Sequence, residues 1–223
     1  LIDVIKSDVE KAAKEIADAH HVNTKAFVVD LSDSRAIETF WKRLSPIPDI
    51  LVNNAGIFWP KKLEHIDDES FAKIININTR AVVYMCREMI KRRHDRPGTI
   101  INISSIEAAR GMTNDMLLYG TSKAAVGGIT RALVKDYAKK GWKINTIMPG
   151  GINTPGATAM GITAIKHLDF SVFETALKFS MRMPTKGIGK PDDIARAALW
   201  LGTPMSDFMN GAEVAVDGGF LAV

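Results

Sequence analysis

Apolar residues along the chain follow two different spacings, one typical of strands and the other of helices. Short, nearly continuous apolar runs indicate strands buried on both faces, as in parallel sheets. Longer stretches with apolar residues at three- and four-residue steps indicate amphipathic helices. The predicted strands lie at 1–3, 24–29, 49–53, 98–103 and 142–148, with a last strand and turn at 212–219, and the predicted helices at 7–19, 33–44, 67–93, 119–139 and from 189–194 onward. This alternation predicts an α/β protein built on a parallel sheet.

An interruption is expected inside the longest helical stretch, 67–93. Asparagine is a poor mid-helix residue because its amide competes for backbone hydrogen bonds. Two asparagines, Asn76 and Asn78, lie within this stretch. We therefore expect it to break into two segments near 76–79.

The composition is that of one globular domain spanning 1–223. Hydrophobic residues make up 46% of the chain and charged residues 24%, which suits a substantial core. No run approaches the ~20 apolar residues of a membrane helix, and no basic and apolar leader is present. Cys86 is the single cysteine, which excludes an internal disulfide and a cysteine-built metal site. A cytoplasmic protein with no metal and no membrane partner is expected.

The net charge is mildly positive, at +4. Basic residues are scattered except for the cluster at 91–94, which ends a predicted helix, where cations are favoured. No aromatic platform or groove-reading motif accompanies this cluster, so no nucleic-acid partner is expected.

The clearest chemical signal is a tyrosine and a lysine one helical turn apart, Tyr119 and Lys123. Side chains four residues apart leave the same face of a helix. A neighbouring ammonium lowers the pKa of a phenol from its usual ~10, which makes Tyr119 a candidate general acid/base. Ser105 precedes Tyr119 by fourteen residues, a span over which its hydroxyl can return to the phenol. For this motif alone, an exposed pair without chemical function is the alternative.

Further motifs occur in order along the chain with this pair. They are Asp30-Leu31, Asn53-Asn54-Ala55-Gly56, Asn78, Ser104-Ser105, Tyr119-Gly-Thr-Ser-Lys123, Pro149-Gly150 and Val216-Asp217-Gly218-Gly219. In order and spacing the chain resembles the short-chain dehydrogenase/reductase family. The resemblance implies a doubly wound parallel sheet of Rossmann-like fold and an NAD(P)-dependent oxidoreductase that interconverts a secondary alcohol and a ketone. It also implies a homo-oligomer, most often a tetramer. Sugars or polyols, acyl-thioester ketones and steroid-like alcohols all fit as substrates.

The resemblance assigns catalytic functions to four residues. Tyr119 exchanges the proton and Ser105 donates a hydrogen bond to the substrate oxygen. Lys123 lowers the pKa of Tyr119 and binds the nicotinamide ribose, while the main chain of Asn78 holds a water that links the lysine to solvent. Two alternatives stay open: Ser104 in place of Ser105, because the family's serine-to-tyrosine interval is slightly shorter, and Asn76 in place of Asn78.

Cofactor contacts are implied near both ends of the dinucleotide. Asp3 ends the strand whose acid accepts the adenosine ribose hydroxyls and repels a 2′-phosphate, which favours NAD over NADP. Asp30-Leu31 resembles the segment at the adenine, where Asp30 meets the amino group. Asn54-Ala55-Gly56 allows the backbone to approach a flat ring closely. The alternatives are that Asp3 caps a turn and that Asp30 is an ordinary turn residue.

Residues after the strand at 142–148 complete the implied nicotinamide site. Pro149-Gly150 forms a turn, and the main chain of Ile152 and the hydroxyl of Thr154 hold the carboxamide. The segment 155–187 corresponds to the family's mobile substrate lid. Its methionine and phenylalanine residues are expected either to line an apolar pocket or to fill the space between lid helices.

The family's first strand and glycine-rich turn are absent from this sequence, which begins within what resembles the second strand. That turn holds the pyrophosphate at a helix N-terminus, and without the strand the apolar faces of the sheet would lie open. Two explanations are open: a piece of a longer protein, or a variant without enzymatic function. The second would be a non-catalytic dinucleotide-sensing or regulatory protein. A purified mass near 24.4 kDa would favour it, and a larger mass the first.

Overall fold

The computed structural model describes residues 1–111, 113–154, 181–185 and 187–223. The strands are β1 (Ile2–Asp3), β2 (Phe27–Val28), β3 (Ile50–Asn53), β4 (Thr99–Ile103), β5 (Lys143–Pro149) and β6 (Glu213–Val216). The helices are α1 (Lys6–His20), α2 (Ser34–Arg43), α3 (Asp68–Ile75), α4 (Ala81–Arg93), α5 (Leu117–Tyr137) and α6 (Pro191–Gly202). Short 3₁₀ turns lie at Leu63–His65, Ile106–Ala108, Ala138–Lys140, Pro204–Ser206 and Phe220–Ala222.

The described strands pair in parallel throughout, in two groups. Four of them form a sheet in the order β3-β4-β5-β6, and β1 pairs with β2 in a separate two-stranded ladder. In the larger sheet Asn53 lies opposite Asn102, and Ile103 lies opposite Ile147. The predicted parallel α/β architecture is therefore confirmed. The strand expected over 24–29 is shorter, because only Phe27–Val28 pairs with β1.

The helical stretch 67–93 is interrupted where the asparagines lie. A π-helical turn, Asn76–Arg80, separates α3 from α4, so that each affected backbone bond spans one residue more than in an α-helix. Helix starts also match the sequence. The carboxylate of Asp33 accepts the Arg35 amide at 2.8 Å, and Asp67 accepts the Ser70 amide at 2.8 Å.

Both faces of the larger sheet are covered, as a doubly wound fold requires. On one face, α2, α4 and α5 pack through a core that includes Trp41, Met85 and Val126. The indole nitrogen of Trp41 donates to the sulfur of Met85 at 3.2 Å. On the other face, Leu201 of α6 packs against Ile101 and its neighbours. These layers leave the carboxyl ends of the strands free to form a site.

A cavity of about 390 Å³ separates the two groups of strands. It lies between β1 and β3, and Ile2, Leu31, Val52 and Met85 are among the residues that line it. The side chains of Ile50 and Val52 on β3 are each 45% exposed.

Candidate active site

The carboxyl ends of β3, β4 and β5 are tied together by a buried polar row. Asn53 donates to Asn102 at 2.8 Å, and Asn102 donates to Thr130 of α5 at 2.8 Å. The Thr130 hydroxyl lies 2.7 Å from the hydroxyl of Thr146 on β5. Buried polar groups are stable only when they are hydrogen-bonded, so this row fixes helix α5 against the strand ends.

The side chain of Ser105 lies beside the Tyr119 phenol, where it acts to lower the pKa of that group. Ser105 is the second residue after β4, and its hydroxyl also accepts the Glu107 amide at 3.2 Å. Ser104 points elsewhere, because its hydroxyl donates to the Lys123 carbonyl at 2.7 Å. The two adjacent serines therefore do different things: Ser104 anchors α5, and Ser105 contacts the phenol.

Lys123 is buried beside the tyrosine, with 5% of its surface exposed. Its ammonium donates to the Ile103 carbonyl at 2.9 Å and lies 5.9 Å from the centroid of the Tyr119 ring. Gly56 lies close by: a Cβ there would be 3.2 Å from the Lys123 Nζ and 3.2 Å from the Asn78 Oδ1. The absence of a side chain at Gly56 lets this segment approach the lysine.

Asn78 is fully buried in the π-helical turn and clamps two segments together. Its amide nitrogen donates to the Ile57 carbonyl at 2.9 Å and to the Ser122 hydroxyl at 3.0 Å, and its oxygen accepts the Ile57 amide at 2.8 Å. Ser122 in turn donates to the Tyr119 carbonyl at 2.7 Å. Asn76 makes only main-chain bonds at the end of α3, to the Ala72 and Lys73 carbonyls. Of the two asparagines, Asn78 is the one whose side chain reaches the Ile57 segment and α5.

Burial dominates the titration of the tyrosine and the lysine. Desolvation raises the pKa of Tyr119, the Ser105 hydrogen bond opposes this rise, and the charge of Glu107 adds to it. Desolvation lowers the pKa of Lys123 to about 8. The expected lowering of the pKa of Tyr119 is wrong, because the pKa of this phenol is raised. The reason is that the ammonium bonds a carbonyl, while the phenol is largely removed from water.

An aromatic segment follows the Asn54-Ala55-Gly56 motif. The Phe58 ring lies 5.0 Å from the Tyr119 ring, edge to face, and Phe58 is 45% exposed. The Trp59 ring has the Lys61 ammonium at 5.4 Å and the Lys73 ammonium at 5.1 Å from its centroid. These residues border the approach to the phenol.

The residues expected at the adenosine end of a dinucleotide lie near the cavity between β1 and β3. The exposed Asp3 carboxylate accepts the Ile5 amide at 2.9 Å, and the exposed Asp30 carboxylate accepts the Ser32 amide at 2.8 Å. Asp3 and Leu31 both line the cavity. Each carboxylate therefore holds a turn and is also accessible to solvent.

The residues expected at the nicotinamide end lie at the ends of β3 and β5. Asn54 and Ala55 are exposed and line the same cavity. Pro149 ends β5, and a Cβ on Gly150 would lie 2.7 Å from the Asp217 Cα, so only glycine fits there. Ile152 pairs with Gly189, and Thr154 is the last described residue before a gap. The residues expected at the two ends of a dinucleotide thus lie at the carboxyl ends of β1, β3 and β5, the side of a parallel sheet on which ligands bind.

One prediction lies mostly outside the described residues. The lid segment expected over 155–187 is described only at 181–185 and 187. Among the residues that the structure describes, no group of three or more histidine, cysteine, aspartate or glutamate side chains is arranged to hold a metal ion. Within the same ranges, every helix is too short or too polar to span a bilayer.

Four residues of the site were not identified from the sequence. Ser122, Thr130 and Thr146 lie within amphipathic or apolar runs, where a hydroxyl carries little signal, and Asn102 interrupts an otherwise apolar strand. An asparagine in an apolar strand is the available signal, because a buried amide needs hydrogen-bond partners and so indicates a polar cluster nearby.

Comparison with known proteins gives consistent matches over almost the whole chain. Residues 1–221 match a family model described as Enoyl-(Acyl carrier protein) reductase. The 2-dehydro-3-deoxy-D-gluconate 5-dehydrogenase of Bacillus subtilis is 34% identical over 208 residues, which is 88% of this chain and 75% of the relative.

Solved structures match the fold as well. A 4-hydroxyisoleucine dehydrogenase complexed with NADH and succinate superposes with a TM-score of 0.82 at 26% identity, covering 100% of this chain and 88% of that chain. A Beutenbergia cavernae protein, thought to be an NAD(P) dependent gluconate 5-dehydrogenase and solved with NADP at low occupancy, gives 0.87 at 29% identity, over 100% and 86% of the two chains.

Proposed function

This chain belongs to the short-chain dehydrogenase/reductase family and is an NAD(P)-dependent oxidoreductase, and we propose that it interconverts a secondary alcohol and a ketone with Tyr119 as general acid/base. The observation that carries the proposal is the buried Lys123 ammonium, which lies 5.9 Å from the centroid of the Tyr119 ring and bonds the Ile103 carbonyl at the carboxyl end of β4. In an open parallel sheet, ligands bind outside this end of the strands.

Each side chain has one task in the proposed reaction. The bound dinucleotide supplies the hydride donor or acceptor. In reduction, the Tyr119 phenol donates its proton to the substrate oxygen, and in oxidation its phenolate removes the hydroxyl proton. Ser105 donates a hydrogen bond to the same substrate oxygen. Because burial raises the pKa of Tyr119, the phenol keeps its proton near neutral pH, which suits reduction, and oxidation is favoured at higher pH.

Lys123 supplies the positive charge of the site. With a pKa lowered to about 8, its amine is mostly protonated at neutral pH. A cation near the ring stabilises the phenolate that forms during oxidation. Lys123, Asn54, Ala55, Gly56, Pro149, Gly150, Ile152 and Thr154 would hold the nicotinamide end, while Asp3, Asp30 and Leu31 would hold the adenosine end. Asn78 positions the Ile57 segment and α5 around this lysine.

NAD is the proposed cofactor in preference to NADP. The carboxylate of Asp3 is exposed at the end of β1, and an acid there repels a 2′-phosphate. Initial rates with each dinucleotide test the preference, and a lower KM for NADP would contradict it.

We also propose a single-domain homotetramer in the cytoplasm, with 155–187 as its substrate lid. Phe71, Val83 and Leu117 on or beside α4 and α5 are 50%, 41% and 54% exposed, and exposed apolar surface favours association. Light scattering checks the assembly, and a monomeric mass would contradict it. We propose the cytoplasm because the dinucleotide cofactor is available inside cells. Fractionation of the native host tests this location.

The proposed function is tested by following absorbance at 340 nm with NAD and NADP against panels of alcohols and ketones. Tyr119→Phe keeps cofactor binding but loses at least ~10²-fold in turnover, the range typical of general acid/base removal. Tyr137→Phe, at the far end of α5, is the matched control and keeps its activity. Near-normal turnover of Tyr119→Phe would show that another group transfers the proton.

A further inference from the structure

Three consecutive residues of the π-helical turn bind three different segments of the chain. Asn78 holds the segment after β3, and the Thr79 hydroxyl donates to the Ser122 carbonyl of α5 at 3.1 Å. The Arg80 guanidinium donates to the Ser32 carbonyl, 48 residues earlier in the sequence. The side chain of Arg80 therefore joins the turn after β2 to the element that carries Asn78.

Ser32 lies in a tight turn that is closed by local hydrogen bonds. The Asp30 carboxylate accepts the Ser32 amide at 2.8 Å, and the Asp30 carbonyl accepts the Asp33 amide at 3.1 Å. Strand β2, which precedes the turn, pairs with β1 in the smaller group of strands. The Arg80 bond adds a link from this turn to the start of α4, the helix that packs on the larger sheet.

The two joined segments border the same cavity. Leu31 lines the cavity of about 390 Å³ between β1 and β3. Ile77 of the π-helical turn and Ala81 at the start of α4 line it too. The bond from Arg80 to Ser32 therefore ties together two walls of the cavity at which the adenosine end is proposed to bind.

An arginine suits this link for a chemical reason. Its guanidinium stays charged and carries several donors in one plane. A hydrogen bond from a charged donor is stronger than one from a neutral donor, and Arg80 is partly buried, which limits competition from water. Because the acceptor is a main-chain carbonyl, the bond fixes the backbone of the turn and with it the adjacent Asp30 and Leu31.

We propose that Arg80 is a positioning residue for the dinucleotide: by bonding the Ser32 carbonyl, it holds Asp30 and Leu31 in the conformation that receives the adenosine end. This rests on the proposed function and adds a residue to it. Arg80 acts through the turn and takes no part in hydride or proton transfer. Without its bond, the turn occupies the binding conformation for a smaller fraction of the time, and the apparent affinity falls by that fraction.

The test measures the two ends of the dinucleotide separately. NMR titrations with 5′-AMP and with nicotinamide mononucleotide are compared in wild type, Arg80→Met and Arg80→Lys. Arg80→Met is expected to raise the Kd of 5′-AMP roughly fivefold or more, the scale of a lost hydrogen bond with a charged partner, and to leave the Kd of nicotinamide mononucleotide unchanged. Arg80→Lys restores most of the affinity, because an ammonium can also donate to a single carbonyl.

Arg87→Met is the matched control. Arg87 lies two turns further along the same helix and donates to Glu38 of α2 at 2.7 Å. Its replacement breaks an arginine contact between neighbouring elements without touching the turn at Ser32. Both Kd values should therefore stay at those of wild type.

Steady-state kinetics provide a second readout. Arg80→Met is expected to raise the KM for the dinucleotide, while kcat and the KM for the alcohol stay unchanged, as for a residue that contributes equally to binding in the ground and transition states. A general loss of structure would instead lower kcat and weaken both fragments alike.

Hydrogen exchange of the wild-type protein tests the proposal even if Arg80→Met does not fold. Binding of 5′-AMP is expected to slow exchange of the Ser32 and Asp33 amides, and to leave unchanged that of the Gly211 amide, which bonds the Ile144 carbonyl at 2.8 Å. Unchanged exchange in the turn overturns the proposal.

Three further results would overturn it: no binding of 5′-AMP to wild type, equal losses of affinity for the two fragments in Arg80→Met, or wild-type affinity of that variant for 5′-AMP. The proposed function fails on a separate result, an alcohol and ketone screen without turnover. Binding of 5′-AMP that depends on Arg80 would stand in that case, because it requires no reaction.

Discussion

Lys123 is the residue whose burial most affects both stability and chemistry. Its amine is 5% exposed and is held by one carbonyl, that of Ile103. Keeping a charge out of water raises the free energy of the folded state, and the lowered pKa of about 8 reflects this penalty. The proposed reaction needs this charge beside Tyr119. The burial of Lys123 therefore lowers the free energy of unfolding while it serves the site.

Stability is therefore predicted to depend on pH through Lys123. The pKa of this lysine is about 8 in the folded chain, against an ordinary 10.5. Between these values the unfolded chain binds a proton that the folded chain does not, so stability rises with pH. From pH 7 to pH 9, the free energy of unfolding of wild type should rise by about 1.4 kcal/mol relative to that of Lys123→Met. This is the change that one proton contributes over the pH unit above the folded pKa.

The comparison is made by urea unfolding of both proteins across this range. Burial raises the pKa of the Cys86 thiol to about 12, which lowers stability as pH rises, but this effect is common to both proteins and cancels in the difference. Lys135→Met, at an exposed position of the same helix, is the control and should follow wild type. The prediction would be contradicted if the difference in free energy of unfolding between wild type and Lys123→Met did not change with pH.

The π-helical turn between α3 and α4 is the element that positions the site. It carries Asn78, whose side chain bonds the Ile57 main chain and the Ser122 hydroxyl. Ser122 bonds the Tyr119 carbonyl one turn earlier on α5. The π-helical turn thereby holds both the segment after β3 and the start of α5.

Replacing Asn78 by alanine should destabilise the protein strongly. The substitution leaves the partly buried Ile57 amide and carbonyl and the buried Ser122 hydroxyl without the Asn78 partner, so that a loss of roughly 1–3 kcal/mol is expected. Chemical denaturation of Asn78→Ala and Asn76→Ala provides the measurement. Asn76→Ala is the matched control, two positions earlier in the same turn, and should cost under about 1 kcal/mol. Equal losses of unfolding free energy in Asn78→Ala and Asn76→Ala would show that the hydrogen bonds of the Asn78 side chain do not stabilise the fold.

At the scale of the whole molecule, the sheet is in two unequal parts. β4 and β5 are five and seven residues long and have neighbours on both sides, whereas β1 and β2 are two residues long and pair only with each other. A cavity of about 390 Å³ lies between β1 and β3. Few contacts and exposed backbone bonds lower local stability, so the two parts should open independently.

Amide hydrogen exchange is predicted to separate the two parts. The amides of β4 and β5 should exchange only through global unfolding, and those of Phe27 and Val29 at least ~10-fold faster through local opening. Phe27 and Val29 donate to the Leu1 and Asp3 carbonyls at 2.9 Å and 3.0 Å, so their protection reports the β1–β2 ladder alone. Uniform protection across both parts would contradict the prediction.

Local sequence predicted the elements well where periodicity and caps agreed. Asp33 and the apolar steps after it define α2, and the Ile-rich run at 98–103 contains β4. Boundaries were wrong where tertiary pairing decides them: the strand expected at 24–29 forms at only two residues, because β1 offers no more partners. The order of the Tyr119–Lys123 motif with the other motifs predicted the family.

The sequence by itself determined the parallel α/β pattern, the break near the asparagines and the family, because spacing and residue type are local properties of the chain. Only the tertiary structure decided that Ser105 contacts the phenol while Ser104 anchors α5, and that Lys123 bonds Ile103. It also decided that burial raises the pKa of Tyr119. Hydrogen-bond partners and desolvation depend on atoms far apart in the chain, and no local pattern specifies them.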